Sequence, residues 1–184
     1  SARWIGMVIK RPVIAIVGVT AVLGTLLLPL GSMHLGLPSD ETSSTDTTQR
    51  QAFEIISDEF GPGHTAQLAV VADLTGLPDM PAAADEVAER MEGVDGVAEV
   101  FPPQLSEVRD TAIIVVIPET GPSDTATEDV LHDVRGLQGE IEDEIGAKIV
   151  VAGAAAMAID VSERLADALP VFAAVVIGLA LVLM

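Results

Sequence analysis

Thr111-Ala112-Ile113-Ile114-Val115-Val116-Ile117 is an uncharged run dominated by β-branched residues. Such side chains crowd a helix and fit a pleated sheet, so the run predicts a strand. After it, Gly121-Pro122-Ser123 carries turn chemistry. Ser123 or Asp124 then caps a long predicted helix to about Ile145, with Val130, Val134, Leu137 and Ile141 as its buried stripe. Gly146 stops that helix, and Lys148 to Ala152 predicts another strand. Moving the other way, Pro102-Pro103 breaks a strand expected over Val94 to Pro102, in which Val97 and Phe101 flank Val100. Upstream of it, Asp79 caps a helix to Met91, with Pro81 in the first turn and Ala83, Val87 and Met91 on one face. The turn Gly76-Leu77-Pro78-Asp79 separates that helix from a buried strand within Gln67 to Leu74, Leu68-Ala69-Val70-Val71-Ala72.

The resulting order is strand–helix–strand–strand–helix–strand. Two strand–helix–strand units so arranged predict an α+β, ferredoxin-like βαββαβ domain. Two helices would cover one face of a four-stranded antiparallel sheet, and the other face must meet water or a partner. Before this domain, Ser39 to Thr48 reads as a polar linker ending in a helix N-cap. Gln49 to Phe60 has helical spacing, with Phe53, Ile56 and Phe60 on one face, and Gly61-Pro62-Gly63 stops it.

The two ends are different in kind. Apolar residues make up 49% of the 184-residue chain but aromatics only 3%, and the apolar excess is concentrated in two blocks. The first runs from about Met7 to Leu30, with Pro12 to Leu30 uncharged, which matches the ~20 residues that cross ~30 Å of hydrocarbon. Thr20 and Thr25 can return their hydroxyls to backbone carbonyls, and Pro12 sits where a helix tolerates it. The second block starts near Ala168 and is still apolar at Met184, so the chain is expected to be part of something longer. Between them, Ala154 to Asp167 predicts an Ala-rich helix running into that second span, with Pro170 as a kink or as the start of the membrane. Arg3, Lys10 and Arg11 precede the first block, and a long acidic stretch follows it, so the positive-inside rule puts the N-terminus in the cytoplasm and the middle outside. The length of the block and the poor cleavage site at Leu30-Gly31-Ser32-Met33 favour an uncleaved span over a signal peptide.

With 28 acidic against 9 basic residues, the net charge of −19 argues against nucleic acid as a partner. The absence of cysteine excludes disulfides, thiolate metal sites and a cysteine nucleophile in this chain. No catalytic, cofactor or metal residues are assigned. His34, His64 and His132 lie in different segments without ligand spacing. Gly61-Pro62-Gly63-His64 does not join a strand to a helix and is no phosphate loop. Glu140, Glu142, Asp143 and Glu144 read as a solvated helix face. Asp160, Glu163, Arg164 and Asp167 precede the second apolar block and read as interfacial charges in preference to a substrate gate, so any proton relay lies outside this chain.

Several pieces in order carry a family resemblance. Arg3-Trp4, Lys10-Arg11-Pro12 and Leu35-Gly36-Leu37-Pro38 bracket the first span. Gln51-Ala52-Phe53 through Glu59-Phe60-Gly61-Pro62-Gly63, then Leu68-Ala69-Val70-Val71, follow. Thr120-Gly121-Pro122-Ser123-Asp124, Val151-Ala152-Gly153-Ala154 and Ala158-Ile159-Asp160-Val161-Ser162 to Leu169-Pro170 complete the set. Together they resemble the MMPL (mycobacterial membrane protein large) transporters of the resistance–nodulation–division (RND) superfamily, and the Gly-Pro-Gly and Ile-Asp-Val-Ser pieces look more like the second half of such a protein. The resemblance implies proton-motive-force-driven export of lipids or hydrophobic compounds across a bacterial plasma membrane. It implies one span (residues 1–34), a linker and amphipathic helix (35–63), an extracytoplasmic porter domain (64–153) and the beginning of the next span (154–184). The implied partners are membrane lipids, further transmembrane helices, a second porter domain and a lipid or hydrophobic substrate. The physical alternative is a two-span sensor or scaffold with a ligand- or partner-binding outer domain; a membrane-tethered hydrolase is a weaker rival, lacking any nucleophile or metal motif.

Overall fold

The computed structural model describes residues 40–183, together with Gly18, Ala21 and Thr25. Those three isolated positions are helical, and the Thr25 hydroxyl donates to the Ala21 carbonyl at 2.8 Å, as expected for a threonine in an apolar helix. The predicted first span as a whole, and His34 after it, fall outside the described residues.

The described domain begins with a short 3₁₀ turn, Asp40–Thr42, and then α1, Thr48–Phe60. The Thr47 side chain caps α1 by accepting from the Arg50 N–H. Gly61 ends it at φ 98°, a left-handed region open to glycine. The 3₁₀ turn Pro62–Thr65 follows and presses on the sheet so closely that a Cβ on Gly63 would lie 1.6 Å from the Pro118 carbonyl oxygen. Strand β1 is Leu68–Asp73. Helix α2, Met80–Glu92, is capped by Asp79, whose carboxylate accepts from the Ala82 N–H at 3.2 Å. Strands β2, Val97–Val100, β3, Gln104–Leu105, and β4, Thr111–Pro118, come next. Helices α3, Thr125–Gly136, and α4, Gln138–Glu144, precede β5, Lys148–Ala152, and α5 runs from Ala154 to Leu183.

The fold is α+β. Every strand pairing is antiparallel, and the sheet order is β2-β4-β1-β5, with β3 beside the other end of β4. The register puts Val70 opposite Ile114 and Val151, and Ala72 opposite Ala112 and Ile149. These residues share one face, and against them pack Ala84, Val87 and Met91 of α2, Val130, Leu131 and Val134 of α3, and Ile141 of α4. Among the described residues, no aromatic belongs to this core. Small and branched aliphatics fill it, which accounts for an ordinary core in a chain so poor in aromatics.

Three elements differ from expectation. The long helix expected to reach Ile145 is two pieces joined at Leu137, whose N–H bonds back to Asp133 and Arg135 carbonyls. Gly136 and Gly139 flank that step, and glycine weakens a helix interior. The second strand is shorter than Val94 to Pro102, with an irregular register between Val97 and Glu99. Beyond Pro102-Pro103 the chain regains pairing as the two-residue β3, a strand that the prolines had hidden.

Candidate functional site

Two features of the domain are the candidates for a functional role. The first is the seam between α3 and the root of α5. Gly153, at φ 129°, turns the chain straight from β5 into α5, and a Cβ there would come within 2.8 Å of the Gln67 carbonyl oxygen. The first turns of α5 then bury Ala155, Ala156 and Ile159 in the core. This docking brings the polar side of the helix root against α3. Arg135 reaches Asp160 with both terminal nitrogens, Nη1 to Oδ1 at 2.6 Å and Nη2 to Oδ2 at 2.9 Å. Its pKa is raised by these bonds, with burial working against them and the charges of Asp160 and Glu163 adding to them. One turn earlier, His132 Nε2 is 2.7 Å from Glu163 Oε1 and 4.0 Å from Glu128 Oε1. Ser162 returns its hydroxyl to the Ala158 carbonyl at 2.8 Å.

Past this seam α5 is bare. Leu169, Val171, Phe172, Val175, Ile177, Leu179 and Leu181 are all about half exposed or more, and the helix continues through Pro170 to Leu183. At 1.5 Å per residue its 30 residues extend about 45 Å. It is long and apolar enough to cross a bilayer, with none of its most apolar stretch buried among the described residues.

The second feature is the other face of the sheet. Val71 stands between Ile113 and Val150 across three strands, and Ala69 between Val115 and Ala152. Ile113 is 46% exposed and Val150 65%, so this apolar row is open. Among the described residues only its far end is covered, where the turn Pro62–Thr65 lies against Ile117 and Pro118. Beside β5, a small open cleft of about 210 Å³ is lined by Arg135, Gln138, Ile149, Val150 and Val151.

The sequence-predicted charges are distributed as follows. Asp160 and Glu163 do not simply point to solvent at a membrane boundary; they fold back onto α3. Glu140 and Glu144 are exposed as expected, yet both bind Arg90 of α2, and the Arg90 pKa is raised by Glu144 first and Glu140 after it. Glu142 lies 3.5 Å from Lys148. His64 is on the Pro62–Thr65 turn with its ring 5.9 Å from that of Phe60, away from His132 on α3. The grouping of Glu128 with His132 was readable as an i,i+4 pair on a helix. Its third member, Glu163, comes from another element thirty-one residues on and carries no local signal.

No family model matches the chain. Membrane protein YdfJ of Bacillus subtilis (strain 168) is 38% identical over 184 residues, covering 98% of this chain and 25% of that protein. The mycolic acid-containing lipids exporter MmpL11 of Mycolicibacterium smegmatis is 25% identical over 177 residues, covering 91% of this chain and 18% of the exporter. The chain therefore spans a quarter or less of the length of these relatives. The solved structure of mycobacterial membrane protein MmpL11D2 superposes with a TM-score of 0.36 at 13% identity, over 46% of this chain and 99% of that one. The two sequence relationships run along nearly the whole chain, which is thus similar to two membrane proteins, one of them an MmpL lipid exporter.

Proposed function

We propose that this chain is part of a proton-motive-force-driven MMPL-type exporter of lipids or hydrophobic compounds in a bacterial plasma membrane. Residues 64–153 serve as its extracytoplasmic porter domain, with a ferredoxin-like βαββαβ plan that the strand order β2-β4-β1-β5 supports. Residues 1–34 and 154–184 contribute spans of a multi-pass protein, and residues 35–63 link the first of them to the domain. The lipid-exporting relative supports the substrate class. The chain acts by binding and conducting its substrate, not by catalysis.

The observation that carries the reading is the open apolar row Val150–Val71–Ile113. Water-exposed sheet faces normally alternate to polar residues, whereas this one is aliphatic along the rows Val150–Val71–Ile113 and Ala152–Ala69–Val115 and turns polar at the edge row Lys148–Asp73–Thr111. An apolar face of this kind suits a path for an acyl chain or a second domain lining that path. The experiment places Val150→Asp in the full-length protein and measures export in cells at matched membrane levels. Export is expected to fall several-fold with the protein still inserted, and unchanged export would remove the sheet face from the substrate path. Orientation is tested separately: because the chain has no cysteine, Ser123→Cys supplies a single label site within it. A membrane-impermeant maleimide should modify it in intact cells, and modification only after lysis would reverse the topology.

A further inference from the structure

We propose that Glu128, His132 and Glu163 form a site for a divalent transition-metal ion of the zinc type, bridging α3 to the root of α5. Glu128 and His132 are one helical turn apart and share a face of α3. Glu163 is delivered to them from α5 because Ala155, Ala156 and Ile159 dock that helix on the core. The three donor atoms all lie within 4.8 Å of one another. Around a tetrahedral zinc-type ion with bonds of about 2.1 Å, donors sit about 3.4 Å apart. The observed 2.7 Å and 4.0 Å separations from His132 Nε2 straddle that value, so rotations of the outer torsions of two partly exposed glutamates suffice.

Within the group, His132 lies at hydrogen-bonding distance from Glu163 only, with Glu128 at 4.0 Å. Two carboxylates converge on one imidazole nitrogen, and a single N–H there can satisfy only one of them. Arg135, which feels the charge of Glu163, has both terminal nitrogens committed to Asp160. Asp160 itself feels His132 and adds a third negative charge nearby, which Arg164 offsets in part. A divalent cation would neutralise both glutamates at once and take the imidazole lone pair. One nitrogen and two carboxylate donors suit zinc-type ions, whereas calcium and magnesium prefer an all-oxygen shell. Water would complete the shell on the exposed side. Such an ion would fasten α3 to α5 beside the Arg135–Asp160 bracket, independently of what the sheet face carries.

The test is a Co²⁺ titration of the whole chain in detergent micelles, read by visible absorption, followed by Zn²⁺ competition. One Co²⁺ per chain with the strong bands of a low-coordinate, nitrogen-bound ion is expected, and Zn²⁺ should displace it. His132→Ala, Glu128→Gln and Glu163→Gln should each weaken binding about tenfold or more. The control Glu142→Gln/Asp143→Asn, equally acidic and exposed on α4, should leave the isotherm unchanged. Absence of the bands, an unaltered isotherm in His132→Ala, or an equal loss in the control would overturn the site and leave only diffuse attraction to an acidic chain. Should His132→Ala lose its helical circular dichroism, Glu163→Gln decides, since Arg135–Asp160 still holds the two helices together.

Discussion

The two faces of the sheet are built from the same kinds of residue and do opposite things. On one, Leu68, Val70, Ile114, Val116 and Ile149 are sealed beneath α2, α3 and α4. On the other, Val71, Ile113 and Val150 form an aliphatic row over which, among the described residues, only the turn at the Ile117 end lies. A sheet with one wet face usually shows apolar–polar alternation along its strands, and β4 does not. Stability alone would need only the covered face. The bare face is apolar without that need, and the proposed function rests on it.

That contrast can be broken by substitution. Ile114→Ala removes a fully buried side chain and should cost about 2–5 kcal/mol. Ile113→Ala, next to it but on the open face, should cost under about 1 kcal/mol. Urea unfolding of the chain in detergent, followed by far-UV circular dichroism, measures both, and equal losses would mean that the open face is covered within the chain. Gly63→Ala probes the one covered corner of that face. Its new methyl would overlap the Pro118 carbonyl, so the turn Pro62–Thr65 must lift, at about 3 kcal/mol. Thr127 anchors α3 on the covered side: it is fully buried, donates to the Gly121 carbonyl at 2.8 Å and meets the Thr120 hydroxyl at 2.8 Å. Thr127→Val leaves those oxygens without that donor and should cost about 1–3 kcal/mol in the same assay.

The smallest effect concerns pH, at the edge of the open face. The Asp73 carboxyl is held below its ordinary value by hydrogen bonds from the Thr75 side chain and backbone, with slight burial opposing and Lys148 assisting. A depressed folded-state pKa stabilises the fold above the unfolded value of about 3.9 and loses that contribution as pH falls through the folded value. Asp73→Asn should therefore be slightly less stable than the parent at pH 7, and the gap should close on acidification. A gap that persists at the lowest pH would mean that the carboxylate charge is not what stabilises the turn.

Local chemistry made much of this fold legible. A β-branched run marked β4, short apolar runs marked β1 and β5, and Asp79 marked the start of α2 through a cap that the structure contains. The break at Leu137 was not readable, because Val134, Leu137 and Ile141 keep helical spacing across it. β3 was hidden because its pairing depends on β4 and not on its own two residues. The polar seam was the least legible part. Asp160 and Glu163 were recognised as the charges before an apolar helix, but their partners, Arg135 and His132, become partners only when α5 folds back across the core. An uncovered face was readable, since the βαββαβ order puts both helices on one side of the sheet, but the aliphatic row on it shows only once the strands are in register.

Gly153 gives the long helix a mechanical meaning. A glycine between a strand and a helix often acts as a swivel, but this one is wedged against the Gln67–Ala69 backbone, and its carbonyl accepts from the Met157 N–H at 3.0 Å. With Arg135 bracing Asp160 on the next turns, the joint has little play. The domain and α5 then behave as handle and shaft: tilting the root by about 10° swings the far end of a ~45 Å helix by about 8 Å.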